Sequence, residues 1–99
     1  MDKDLKTEVN KRLAKAIDQV IDQQIAENEP PETAETLERL LEDGFSESQA
    51  MDLIGRVVSH YISEVILQKK IFDMKGYCEA LEDLPDPYEV KPEGKKNND

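Results

Sequence analysis

Apolar residues fall along the chain in four groups at helical spacing, and the gaps between the groups hold residues that end helices. From about Asp4 to Glu27, Leu5, Val9, Leu13, Ala16, Ile17, Val20, Ile21 and Ile25 recur at steps of three and four, the period of an amphipathic helix. At 100° per residue they drift around about 200° of the wheel. Val9, Leu13, Ala16 and Val20, spaced 4-3-4, form the tightest subset, a seam of coiled-coil type too short for a coiled coil.

Pro30 and Pro31 break that pattern, because proline lacks an amide donor and disfavours helix in the residue before it. Proline also suits the first turn of a new helix, where acidic side chains favour the positive end of the helix dipole. Pro31-Glu32-Thr33 therefore predicts a helix start, with Thr33 as an N-cap or first-turn hydroxyl. Ala34, Leu37, Leu40 and Leu41 then cover an arc of about 120°, with Glu35, Glu38, Glu42 and Asp43 outside it as a solvent face. Gly44 supplies a stop signal, leaving Phe45 to fold back on Leu40 or Leu41. Ser46-Glu47-Ser48-Gln49 spells a capping box. The helix it opens carries Ala50, Met51, Leu53, Ile54, Val57, Val58, Tyr61, Ile62, Val65 and Ile66 around roughly 220° of the wheel. So broad an apolar surface predicts a central helix.

Lys69 and Lys70 close this third group, and Asp73 is an N-cap for a short fourth one built on Met74, Tyr77, Cys78, Leu81 and Leu84. Gly76 weakens the fourth helix and Pro85 ends it. Residues 85–99, PDPYEVKPEGKKNND, carry only Tyr88 and Val90 as anchors, the composition of a disordered tail. The sequence thus predicts an all-α fold: a small four-helix arrangement, with helices at about 4–27, 32–43, 46–69 and 73–83. Residues 1–84 form a single helical domain, and 85–99 form the tail. The N-terminal helix is the semi-independent element. It folds back within its own chain or lies across a second copy, and the short Pro-Pro linker favours the first arrangement.

Composition narrows the functional classes. The 99 residues carry a net charge of -10, with 36% charged residues. The acid concentrates on residues 29–44 and 71–84, whose net charges are -5 and -3. Such surfaces repel phosphate backbones, so no nucleic-acid partner is expected. The longest uninterrupted aliphatic run is Val65-Ile66-Leu67, which predicts no membrane partner, no membrane span and no signal peptide. One cysteine, Cys78, cannot form an intrachain disulfide, and the expected location is the cytoplasm.

The stretch Asn28-Glu29-Pro30-Pro31-Glu32-Thr33, with Thr36, Arg39-Leu40, Gly44-Phe45-Ser46, Ala50 and Leu53-Ile54, resembles a group of small uncharacterised bacterial proteins. That group is built around an N-P-P-E-T…T-x-x-R-L…G-[YF]-S…A…L-I pattern. The likeness covers about residues 28–84, with Glu29 standing between the asparagine and the first proline. As a domain of unknown function, the group implies no substrate and no cofactor.

Candidate chemistry is sparse. His60 and Glu64 lie one helical turn apart and could supply two metal ligands, but none of the recurring zinc spacings accompanies them. The better reading of His60 is a histidine at the core edge, hydrogen-bonded to a neighbour. Glu32, Glu35, Glu38 and Glu42 read as solvated acids rather than as a catalytic pair. Cys78 sits among Glu79, Glu82 and Asp83, whose charge suppresses the thiolate, so it reads as a half-buried packing residue. Arg39 is the exception on an acidic helix. Its expected role is pairing with Glu35, Glu42 or Asp43, worth about 0.2–0.5 kcal/mol each, with contact to a partner as the alternative.

The sequence therefore predicts no enzyme, no catalytic residue, no cofactor and no identified small molecule. It predicts a protein-interaction or accessory module, or self-association, with Glu32, Glu35, Arg39 and His60 as candidate interaction residues. Two alternatives stand beside it: a small metal-dependent protein using His60 and nearby carboxylates, and a pure oligomerisation module.

Overall fold

The computed structural model describes residues 2–93, with side chains from residue 10 onward. Four helices follow one another: α1 (Asp2–Glu27), α2 (Pro31–Glu42), α3 (Glu47–Gln68) and α4 (Met74–Asp83). No strand occurs among the described residues, and the fold is all-α as the periodicity predicts. None of the described helices is long and apolar enough to cross a membrane.

The junctions follow the local signals. Asp43 ends α2 and Gly44 takes φ 101°. The Phe45 amide then donates to Leu40 O and the Gly44 amide to Leu41 O, both at 3.1 Å. This is the Schellman pattern, in which two otherwise unpaired helix carbonyls are satisfied. Ser46 Oγ accepts from the Gln49 amide while Gln49 Oε1 accepts from the Ser46 amide, both at 3.1 Å, completing the capping box. Asp73 caps α4 through a 3.0 Å bond from the Gly76 amide. A Cβ at Gly76 would lie 3.0 Å from the Tyr61 hydroxyl and closer still to the Asp73 carboxylate, so a larger residue there would push the capping side chain aside.

α3 is central, packing against α1, α2 and α4, while α2 also touches α1 and α4. Their common core is Ile21, Leu40, Phe45, Ala50, Leu53, Ile54, Val57, Val58, Tyr77, Leu81 and Leu84. Each fully buried large side chain contributes about 1.5–3 kcal/mol relative to exposure.

Two expectations are corrected. The apolar seam expected on α1 packs only in part: Val20 is half-buried against the core, but the rest of the packed face lies elsewhere. Leu13 is 57% exposed and Ala16 is exposed, whereas Ile21 is buried with Ile17, Gln24 and Ile25 half-buried beside it. Val9's side chain lies outside the described residues. The Ile17 side of α1 lies close to α3: a Cβ at Gly55 would come within 3.2 Å of the Ile17 side chain, so glycine eases the approach there. The chain also stays attached beyond Pro85. Tyr88 and Val90 pack on the core, and Gln49 Nε2 donates to Lys91 O at 2.7 Å while the Glu93 amide donates to Gln49 Oε1 at 3.0 Å. Residues 94–99 of the expected tail lie outside the described residues.

Candidate functional site

Arg39 departs furthest from its expected role. Its guanidinium reaches across to the end of α4, where Nη1 donates to Leu84 O at 2.8 Å and Nη2 to Leu81 O at 3.0 Å and Glu82 O at 3.3 Å. The last carbonyls of a helix have no partner within it and carry its negative dipole end. A planar cationic fork satisfies both needs, which a pairing with Glu35, Glu42 or Asp43 would not. Thr36 Oγ1 lies 3.5 Å from Leu81 O, adding a long contact at the same place.

Thr33 sits in the first turn of α2, one of its two expected places, but its hydroxyl does not cap the helix: Oγ1 donates to Gln24 Oε1 at 2.7 Å, and the Tyr77 hydroxyl donates to the same oxygen at 2.8 Å. One amide oxygen thereby joins α1, α2 and α4. Burial raises the Tyr77 pKa, opposed by these hydrogen bonds. Gln24 was not singled out from sequence. Its signal was available, because it stands three residues after Ile21 on the apolar side of the first helix.

Glu32 lies beside Cys78, and the pair belongs to the same α2–α4 joint. Burial first, then the hydrogen bond and the charge of Glu32, then the charge of Glu82, push the thiol from its ordinary 9.0 up to about 11. Cys78 is half-buried, and a thiol so placed is a poor nucleophile. Glu35 is exposed. His60 is exposed on α3, with Nε2 3.3 Å from Glu64 Oε2 and its ring edge-on to Tyr61 at 5.0 Å. No three His, Cys, Asp or Glu side chains converge on a cation site among the described residues. The four candidates therefore do not form one site: Glu32 and Arg39 serve a helix joint, and Glu35 and His60 face outward.

Among the described residues, two surfaces stand out beside a smaller apolar hollow lined by Ile25, Ala34, Leu37, Glu38 and Leu41. One is the cleft between α1 and α3, where two hollows of 370 and 560 Å³ share Ala14, Asp18, Met51 and Asp52. Ile17 and Gly55 deepen its apolar floor, and Asp22 and Glu47 extend its acidic rim. Arg56 closes one side, bridging to Asp52 at 2.9 Å and stacking 5.1 Å from the Tyr88 ring centre. The other surface is the far end of α3 and its connector to α4, where Ile66, Leu67, Ile71 and Met74 are 66, 78, 94 and 47% exposed.

Comparison with known proteins returns no matching family model, no matching curated protein and no matching solved structure.

Proposed function

We propose that the chain is a non-enzymatic protein-interaction module that docks through the end of α3 and the α3–α4 connector. The observation that carries this reading is the exposure of Ile66, Leu67, Ile71 and Met74 within nine consecutive residues. Apolar side chains gathered on a surface mark a contact for a partner, because leaving them in water forfeits about 25 cal/mol per Å² of apolar area. Lys69, Lys70 and Lys75 stand exposed among them. The fitting partner is a protein that presents an apolar helix face edged with Asp and Glu.

A cytoplasmic location is part of the same proposal, in keeping with a single thiol held protonated in a helix joint. So is membership of the N-P-P-E-T group. Gly44, Ser46 and Arg39, which carry that resemblance, serve turns and a joint in this chain, a pattern that selects architecture rather than reaction chemistry. The metal-dependent alternative keeps only the His60–Glu64 contact as support.

The test uses a synthetic amphipathic peptide with leucines on one face and glutamates at its edges, titrated against the full chain by fluorescence anisotropy. Binding that is lost in Leu67→Glu/Ile71→Glu, with helix content unchanged, is the expected result. Equal binding by that variant sinks the proposed surface. Preference for phosphatidylglycerol vesicles over the peptide would replace the protein partner with a lipid one.

A further inference from the structure

The cleft between α1 and α3 carries a charge order that points to its occupant. Asp18 and Asp22 line its α1 edge, and Lys11 and Lys15, spaced four, three and four residues along with them, continue the same row toward the start of the helix. All four are exposed. The row is basic in its first half and acidic in its second; across the cleft α3 adds Glu47 to the acidic half, while Asp52 is paired with Arg56.

A helix laid antiparallel against such a row must present the reverse order. Another copy of α1 does. The pairs Lys11 with Asp22 and Lys15 with Asp18 are both centred between Ala16 and Ile17, so one two-fold axis through that point makes all four contacts at once. This is the condition for an isologous interface, in which the same patch is used on both sides. We propose that the α1–α3 cleft is the homodimer interface of this protein, filled by α1 of a second copy running antiparallel across the two-fold.

Small and apolar side chains make this geometry possible. Ala14 and Gly55 keep the floor of the cleft low, and Met51 supplies a flexible apolar wall. Closing the cleft removes that floor from water on both copies, which gives the affinity. Rim charge pairs are individually weak and set direction and register instead. A chain of this length buries a small core, so a second copy adds a share of burial that the monomer lacks. The inference uses a surface separate from the end of α3 and stands independently of the docking reading above.

The experiment is light scattering on the full chain after size exclusion, over a range of concentrations in low salt. The expected mass is twice the 11.3 kDa of one chain. Lys11→Glu/Lys15→Glu and Asp18→Lys/Asp22→Lys should each run as monomers of unchanged helicity, because either reversal sets like charges against each other. Mixing the two variants should restore a species of twice the monomer mass, since every pair is then opposite in sign. Added salt should weaken the wild-type dimer through screening of the rim. A wild type that stays monomeric at the highest concentration overturns the proposal. So does a dimer indifferent to both reversals and to salt, or a mixture of variants that fails to associate.

Discussion

The α2–α4 joint and the α1–α3 cleft are both places where one helix lies against another, yet the first is sealed and the second is open. In the joint, polar side chains turn inward and find partners: Arg39 on three carbonyls of α4's end, and Thr33 and Tyr77 on Gln24. In the cleft, Asp18, Asp22, Glu47 and Asp52 stay at the rim. A buried polar group is tolerated only when it is bonded, so the sealed joint has used its polar groups up. At the rim of the cleft Asp52 is paired with Arg56, and Asp18, Asp22 and Glu47 stay exposed. The contrast separates polar groups that tie helices together from charges left at the surface.

The largest effect expected is on the sealed side. Arg39→Met removes the cationic donor from Leu84 O and Glu82 O and leaves Leu81 O with only the Leu84 amide and the long Thr36 contact, which should cost about 2–3 kcal/mol. Arg39→Lys should recover only part, because a single ammonium cannot reproduce the fork. Urea midpoints for the two variants give the comparison, and an unchanged midpoint for Arg39→Met would show that α4 does not depend on α2 for its cap. Gly44→Val should cost more than about 1 kcal/mol, since a β-branched residue is penalised at positive φ. Thermal melting would reveal a native-like Tm if the α2–α3 turn could re-form another way.

Cys78 sharpens the contrast through pH. Its thiol is raised from 9.0 to about 11, chiefly by burial, so the unfolded chain gives up this proton first. The stability it contributes is complete below pH 9.0 and is lost as pH rises toward 11. The stability difference between the wild type and Cys78→Ala should therefore shrink for the wild type across that window, and iodoacetamide should label the folded thiol far more slowly than the denatured one. Rapid labelling of folded protein would mean the joint opens readily. The smallest effect lies at the open end of α3, where Lys69 closes the helix with φ 55°. Lys69→Gly should relieve the left-handed strain and raise stability by about 0.5–1 kcal/mol. A loss there would show that the lysine's charge at the helix end outweighs its backbone strain.

What the sequence revealed divides along the same line. Signals that act within a few residues were legible: the Gly44 stop, the Ser46–Gln49 box and the Asp73 cap all form as their spacing predicts. Arg39 was legible as anomalous but not as a clamp, because its acceptors lie more than forty residues away. The packed face of α1 was misjudged because its apolar residues drift around the wheel, so periodicity alone offers several faces. The packing of α3 against it selects among them, with Gly55 easing the approach of Ile17. Glu32 and His60 were singled out as chemistry-bearing residues, and only the assembled fold separates a carboxylate beside a half-buried thiol from an imidazole at the surface.

Gln49 has a practical consequence for anyone handling this protein. The side chain that starts α3 by bonding Ser46 also holds Lys91 and Glu93. Cutting the chain at Pro85, where composition suggests a boundary, would strip Tyr88 from Arg56 and leave Gln49 holding only its own helix. A fusion or affinity tag joined after Glu93 leaves every one of these bonds in place, and a protease that trims the folded protein from its C-terminal side should stall at the Gln49 clasp rather than at the last helix.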